Sequence, residues 1–282
     1  MSQPTSREPD ASTPLLEVRN LVVRFGKKAA VDDVSFTIGR GETLGLVGES
    51  GSGKTTIGRA ILGLQPVTSG QILFEGRDIT KAGPRARRSL QGDLRAVFQD
   101  PFSSLNPRRP IGDAITEPLR VAGVSRSDRD RRAQEVLAAV GLAPGSENRF
   151  PRQFSGGQRQ RIAIARALVT DPRLVVCDEA VSALDLSTQA QVLNLLADLR
   201  VGKDLGYLFI AHDMAVVEFL AQRVVVLNRG KIVEVGETAE VMRNPQAHYT
   251  QVLMAASPVP DPDEQAARRE AWKALKAAAP TA

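Results

Sequence analysis

The sequence predicts an α/β fold with a mainly parallel sheet, and three observations predict it. A glycine-rich loop, Gly48-Glu49-Ser50-Gly51-Ser52-Gly53-Lys54-Thr55, lies between a short apolar run and a helical periodicity. It fits the phosphate-loop pattern G-x-x-x-x-G-K-[ST] in the strand–loop–helix context that pattern requires. Apolar runs of strand length, such as Leu174-Val175-Val176-Cys177, alternate with segments of helical spacing, as in sheets built from βαβ units. A second glycine pair, Gly156-Gly157, opens a strong helix well down the chain.

Residues 1–14 are polar, lack an apolar signal core and read as a disordered leader. Leu16 to Phe25 alternates as a strand. Val34, Phe36 and Ile38 alternate again before the turn Gly39-Arg40-Gly41 and the buried strand Leu44–Val47. Two strands therefore precede the strand that leads into the phosphate loop, unlike a simple kinase, in which the loop usually follows the first strand. Thr56 to Leu64 carries Ile57, Ala60, Ile61 and Leu64 at helical spacing. Gln71–Phe74, bounded by Ser69-Gly70 and Gly76, completes a small antiparallel sheet beside the core, and Arg95–Phe98 is a further strand ending at Gln99. From about 102 to 170 the character becomes helical, read as an inserted subdomain. Prolines 107, 110 and 118 punctuate its start, and helices follow at Asp128–Val140 and Gly156–Val169. Ser187 is expected to cap a helix with Val192, Leu195, Leu196 and Leu199 as its buried stripe. Tyr207–Ile210 is a strand ending near His212, and Val224–Leu227 with Ile232–Val235 flank a hairpin turn. Residues 15–257 form the ordered domain, and 258–282 read as a flexible tail, a linker with a marginal helix.

Composition narrows the function. The 282 residues are 42% hydrophobic and 24% charged, enough for one large domain or two small ones. No apolar run is long enough to cross a bilayer. The single cysteine, Cys177, excludes an internal disulfide or a cysteine-built cluster, and the sum points to the cytoplasm. The net charge of +5 is carried largely by arginine, densest at Arg85, Arg87 and Arg88 and at Arg126, Arg129, Arg131 and Arg132. No long basic block appears. The arginines read as solvated helix faces or surroundings of nucleotide phosphate, and no nucleic-acid partner is expected.

The chemistry follows from the loops. Glycines let the backbone wrap an anion without Cβ clashes, and the loop N–H groups with the helix N-terminus point at phosphates. Lys54 is placed to reach the β- and γ-phosphates of ATP, and the Thr55 hydroxyl to coordinate Mg²⁺, with Thr56 next in the same turn. Asp178, at the end of a buried strand, is expected to hold Mg²⁺ directly or through water. Glu179 follows it, where a carboxylate can polarise the attacking water. Ser155, Gly156, Gly157 and Gln158 form a second anion site at a helix N-terminus.

The stretch Phe154-Ser155-Gly156-Gly157-Gln158 resembles the signature of ATP-binding cassette (ABC) proteins, with Phe where Leu is usual. The resemblance covers about Leu15 to Ser257. It implies an ABC nucleotide-binding domain: a phosphate-loop NTPase core with a mainly parallel sheet, an antiparallel β subdomain and an inserted α-helical subdomain. It also implies two cassettes packed head to tail, the signature of one closing on ATP held by the other. By position, Gln99 is similar to the glutamine that senses Mg²⁺ and water, and Asp185 lies in the loop that speaks across the dimer. His212 is similar to the switch histidine on the γ-phosphate. Phe25 lies where the family stacks an aromatic on adenine, and an inward core position is the alternative for it.

Within the superfamily, FQDPFSSLNPRRPIGDAITEPL, QRQRIAIARAL and YTQVLMAASP resemble oligopeptide, dipeptide and nickel importer cassettes. Ala180 stands where Pro is commoner, and a cysteine-bearing extension is missing. The implied function is the ATPase of a membrane importer for peptides or a related solute, peripheral on the cytoplasmic face of the membrane. Its partners are integral permease subunits, a second cassette (a different chain favoured, a second copy possible) and, indirectly, an extracytoplasmic solute-binding protein. A soluble ABC ATPase acting on ribosomes or DNA is the alternative. Such proteins usually carry two cassettes or a long coiled coil, and this chain shows one phosphate loop and no heptad run. The segment Gln99–Leu119 is expected to be irregular, with Phe102, Leu105 and Ile111 lining a groove for a permease helix; the alternative is that they pack the subdomain against the sheet.

Overall fold

The computed structural model describes residues 13–99, 105–201, 204–256 and 262–277. Among these, the strands form two sheets. Strands β1 (Leu16–Phe25), β2 (Lys28–Ile38), β4 (Ser69–Phe74) and the short β5 (Arg77–Asp78) make an antiparallel sheet in the order β2-β1-β4-β5. The six-stranded sheet has the order β10-β9-β3-β8-β7-β6. Its members are β3 (Thr43–Val47), β6 (Leu94–Phe98), β7 (Leu174–Asp178), β8 (Gly206–Ala211), β9 (Arg223–Asn228) and β10 (Lys231–Glu237). All pairs in it are parallel except the β9–β10 hairpin.

The central strands are apolar at nearly every position because both sheet faces are covered. Alternate residues divide between two cores. Val175, Cys177, Tyr207, Phe209, Val224 and Val226 face the core shared with the helical subdomain. Leu44, Leu46, Val176, Leu208, Ile210 and Leu227 face the core closed by the antiparallel sheet and helix α1 (Lys54–Ile61). Leu64, expected on the buried face of this helix, lies beyond its end and is exposed.

The inserted subdomain holds α3 (Ile111–Val121), α4 (Arg126–Ala139) and α5 (Gly156–Leu168), with 3-10 turns at Ser146–Asn148 and Pro151–Gln153. The expectation of an irregular, groove-lining stretch up to Leu119 is corrected here. Ile111 begins a helix, with Pro118 inside it, and Ile111, Ile115 and Leu105 are fully covered in the core. Pro110 precedes the first turn, where a proline lacks no needed N–H, so it starts this helix rather than preventing it. Phe102 lies outside the described residues.

A short helix α2 (Pro84–Leu90), not foreseen, follows β5. Its Arg87 guanidinium donates to the carbonyls of Ile61 and Ile79, so this arginine ties α1 to the β subdomain. Arg131 and Arg132 pair with Glu135, and Arg132, only 22% exposed, also pairs with Asp171 and donates to the Val169 carbonyl, so Arg132 is tied into the subdomain rather than solvated. Helix α6 (Leu186–Val201) starts earlier than Ser187 as a cap requires. Asp185 caps it instead, its carboxylate accepting from the N–H and hydroxyl of Thr188 at 2.9 and 2.8 Å. Helices α7 (Met214–Leu220), α8 (Thr238–Arg243), α9 (His248–Ala256) and α10 (Pro262–Ala277) complete the described chain, and α10 packs on α9.

Candidate functional site

Sheet register gathers the expected residues. Val47 pairs with Ala211, Ile210 with Asp178, and Asp178 with Phe98. The next residues, Gly48, His212, Glu179 and Gln99, therefore leave the sheet together at the carboxyl ends of parallel strands, where α/β folds bind ligands.

The phosphate loop is shaped by close approaches. Gly48 has φ +148°, and a Cβ there would lie 2.1 Å from the Leu227 carbonyl oxygen. Gly53, at φ +111°, would meet the Ala30 carbonyl at 2.4 Å. Only glycine satisfies both the backbone angle and the space. A Cβ at Gly51 would meet nothing within 4 Å, so the outer face of the loop is open. Glu49, Ser50 and Gly51 are exposed, while Ser52 is buried and its hydroxyl oxygen has no partner among the described residues. Such an orphaned polar atom in an open backbone cradle fits an anionic ligand. Thr55 and Thr56 lie in the first turn of α1.

Lys54 is buried and donates to the Gly48 and Glu49 carbonyls at 2.7 and 2.8 Å. Burial pulls its ammonium below the ordinary lysine range, against the pull of Glu179, Asp178 and Glu49. The Thr55 hydroxyl donates to Asp178 Oδ1 at 3.0 Å. Burial pushes the Asp178 carboxyl up, the Thr55 hydrogen bond opposes this, and neighbouring Glu179 adds to the rise. A hydroxyl on a desolvated carboxylate, beside a buried ammonium, is a donor set suited to Mg²⁺ carried by a nucleotide. Because Asp178 titrates higher folded than unfolded, its charge is carried at a cost above both values. That cost vanishes below the unfolded value. Asp178→Asn is thus expected to raise the Tm of the nucleotide-free chain in chelator at neutral pH, and to abolish Mg²⁺-dependent hydrolysis. The gain in Tm should fade as pH falls below the ordinary carboxylate range, which thermal melts across pH will show.

Glu179 has φ +51°, a strained conformation for a non-glycine residue, and its N–H donates to the Ile210 carbonyl at 3.0 Å. The turn aims its carboxylate toward His212, with Oε1 3.8 Å from Nδ1. The glutamate side chain is 20% exposed and that of the histidine 55%. Gln99 is exposed just past β6. Phe25 is 54% exposed at the end of β1, so the inward core alternative does not hold for it.

The second glycine site lies apart from the first in its bonding. The Ser155 hydroxyl accepts from the Gln158 N–H at 3.3 Å, and Gln158 Oε1 accepts from the Ser155 N–H at 3.0 Å, a capping box that opens α5. A Cβ at Gly157 would lie 2.1 Å from Thr188 Cγ2, whereas one at Gly156 would meet nothing within 4 Å. Gly157 thus packs the signature on the turn that Asp185 caps, and Gly156 leaves an open face. One contact escaped the sequence reading: Tyr249 Oη accepts from the Glu49 N–H of the phosphate loop at 2.9 Å.

A family model described as ABC transporter matches residues 31–182. The chain belongs to this family. It is 48% identical over 262 residues to a putative peptide import ATP-binding protein of Brucella ovis, covering 91% of this chain and 83% of the relative. It is also 49% identical over 268 residues to the glutathione import ATP-binding protein GsiA of Shigella flexneri, covering 91% of this chain and 43% of that longer protein. The fold matches cbiO1 of Clostridium perfringens, part of the ABC transporter complex cbiONQ, with TM-score 0.76 and 24% identity, over 83% of this chain and 92% of that one. It also matches a dimeric ATP-binding cassette in a post-hydrolysis state with ADP and Pi, with TM-score 0.71 and 27% identity, over 79% of this chain and 98% of the other. The chain is an ATP-binding ABC ATPase, and no described helix is long and apolar enough to cross a membrane.

Proposed function

We propose that this ABC ATPase energises the import of peptides or a related small solute, working on the cytoplasmic face of a membrane against integral permease subunits. The observation that carries the reading is that Asp178, Glu179 and His212 gather at one sheet edge with Thr55 of α1 bonded to Asp178, while the same chain carries a second glycine-opened helix N-terminus with an open face at Gly156. The import direction and the peptide class rest on the relatives named above.

Lys54 leaves its loop carbonyls for the β- and γ-phosphates, exchanging two neutral acceptors for charged ones. Thr55, Asp178 and Gln99 are the residues that would hold Mg²⁺, which neutralises charge on the transferring phosphoryl group. Glu179 orients the attacking water, and His212 contacts the γ-phosphate side. Ser155, Gly156, Gly157 and Gln158 close on the nucleotide of a second cassette, with Asp185 supporting them through Thr188. A different chain is favoured as that second cassette. Phe25 offers its exposed ring to the adenine.

The permease site is placed away from Leu105 and Ile111, both covered in the core. A cavity of about 290 Å³ opens between the core and the helical subdomain, lined by Leu62, Leu64, Val97, Phe98, Pro118 and Ala163 among others. It lies along the outer edge of β6, which pairs with no other strand among the described residues, and Leu64 and Phe98 are exposed on it. Purification from native membranes tests the whole reading. The chain is expected to bring down a second cassette and two multi-spanning permeases, with ATPase stimulated by peptide. Leu64→Asp should keep ATP binding and lose the permeases about tenfold or more, since burying such a side chain is worth ~1.5–3 kcal/mol. A preparation without permeases, or indifferent to peptides and related solutes, would count against it.

A further inference from the structure

The stretch YTQVLMAASP has no role in the reading above, yet its first residue touches the phosphate loop. The Glu234 carboxylate of β10 accepts from the N–H groups of Gln246 and Ala247 at 2.8 and 3.1 Å, just before α9. Gln251 Nε2 donates back to the Pro245 carbonyl at 2.9 Å. These bonds set the start of α9, and Tyr249 is its second residue. The half-buried phenol oxygen then accepts from the Glu49 N–H at 2.9 Å, across 200 residues of sequence.

That N–H belongs to the same peptide unit as the Gly48 carbonyl. The carbonyl accepts from Lys54 Nζ at 2.7 Å. One peptide plane is therefore held at both ends, by the loop lysine on its oxygen and by Tyr249 on its nitrogen. A peptide that follows a glycine rotates most easily, because no Cβ restrains it. Hydrogen bonds on the two ends of one amide also polarise each other. When Lys54 turns to phosphate it releases the oxygen, and Tyr249 still holds the nitrogen.

We propose that Tyr249 is a positioning residue for ATP: it locks the Gly48–Glu49 peptide so that the loop N–H groups beyond it face phosphate before nucleotide arrives. Through it, the unit built from β10, α9 and α10 is fastened to the nucleotide site. The inference rests on Gly48–Thr55 being the ATP phosphate loop, and the test separates the two.

In the full chain, Tyr249→Phe keeps the ring and removes only the acceptor oxygen. ATP affinity by calorimetry should fall about three- to tenfold, with KM rising equally and kcat within about twofold, the loss of one hydrogen bond to a preset loop. The Glu49 amide in ¹H–¹⁵N spectra should move upfield, a signature that loss of packing elsewhere does not give. Glu234→Ala, which leaves the tyrosine intact but frees the Gln246 and Ala247 N–H groups, should shift the same amide and raise KM by less. It also serves if the phenylalanine variant folds poorly. Lys54→Ala is the control and should lose ATP. An unmoved Glu49 amide, or an unchanged affinity beside a Lys54→Ala control that has lost ATP, overturns the role of Tyr249 alone. Undiminished ATP binding in Lys54→Ala overturns the phosphate-loop reading and the inference with it.

Discussion

Glu179→Gln is expected to bind ATP as the parent does and to turn it over at least about 10²-fold more slowly, the usual worth of a positioned general base. The substitution is nearly isosteric. It leaves the φ of +51° and the hydrogen bond to the Ile210 carbonyl in place, so the turn that carries residue 179 survives. It also leaves Lys54, Thr55 and Asp178 bonded as they are. What disappears is the carboxylate that stands 3.8 Å from His212 and next to the Asp178 strand end. ATP that is bound but not cleaved should hold two cassettes together. Gel filtration with Mg-ATP should then show a shift to the dimer for the mutant and not for the parent. Turnover at the parent rate would remove Glu179 from the chemistry.

Most of this site was legible in the sequence because its residues leave strands whose apolar runs are unmistakable. Leu44–Val47, Leu174–Cys177 and Tyr207–Ile210 are buried on both faces, so each announces its strand, and the residues one or two positions past it reach the sheet edge. The capping geometry was less legible. Ser187 and Asp185 are both good cap residues, and in the structure Thr188, three residues after Asp185, bonds the Asp185 carboxylate through both its N–H and its hydroxyl, so the helix starts at Leu186. The stretch before Leu119 misled because its prolines suggest irregularity, whereas Pro110 and Pro118 lie at a helix start and within a helix whose apolar face is buried. The contact of Tyr249 with Glu49 was invisible, since it joins segments 200 residues apart through one phenol oxygen. The two segments meet where β9 and β10 extend the sheet beyond β3, with Glu234 of β10 bonded to the start of α9.

Mixing two dead chains should restore hydrolysis. Lys54→Ala loses the phosphate contact, and Ser155→Arg fills the signature, so neither alone is expected to turn over ATP. In the structure the two glycine-rich loops are built on separate scaffolds. The phosphate loop is packed on Leu227 and Ala30, the signature on the Asp185–Thr188 turn, and the side chains of Ser155 and Gln158 each accept from the other's backbone N–H. A Cβ at Gly156 or at Gly51 would meet nothing within 4 Å, and the proposed head-to-tail pair of cassettes would cover both open faces. In a mixed dimer the intact signature of the Lys54→Ala chain closes on the intact phosphate loop of the Ser155→Arg chain. One of two sites then works, in the half of the dimers that are mixed if the chains exchange at random. The expected rate is therefore about a quarter of the parent's, and less where the two sites fire only together. The experiment needs the chain to pair with itself, which crosslinking of the mixture establishes. If pairing with a different cassette dominates, the same substitutions are divided between the two chains and the comparison is repeated. Mixed dimers that stay inactive would mean that each chain closes its own site, and the arrangement of Ser155 opposite a second chain's nucleotide would be wrong.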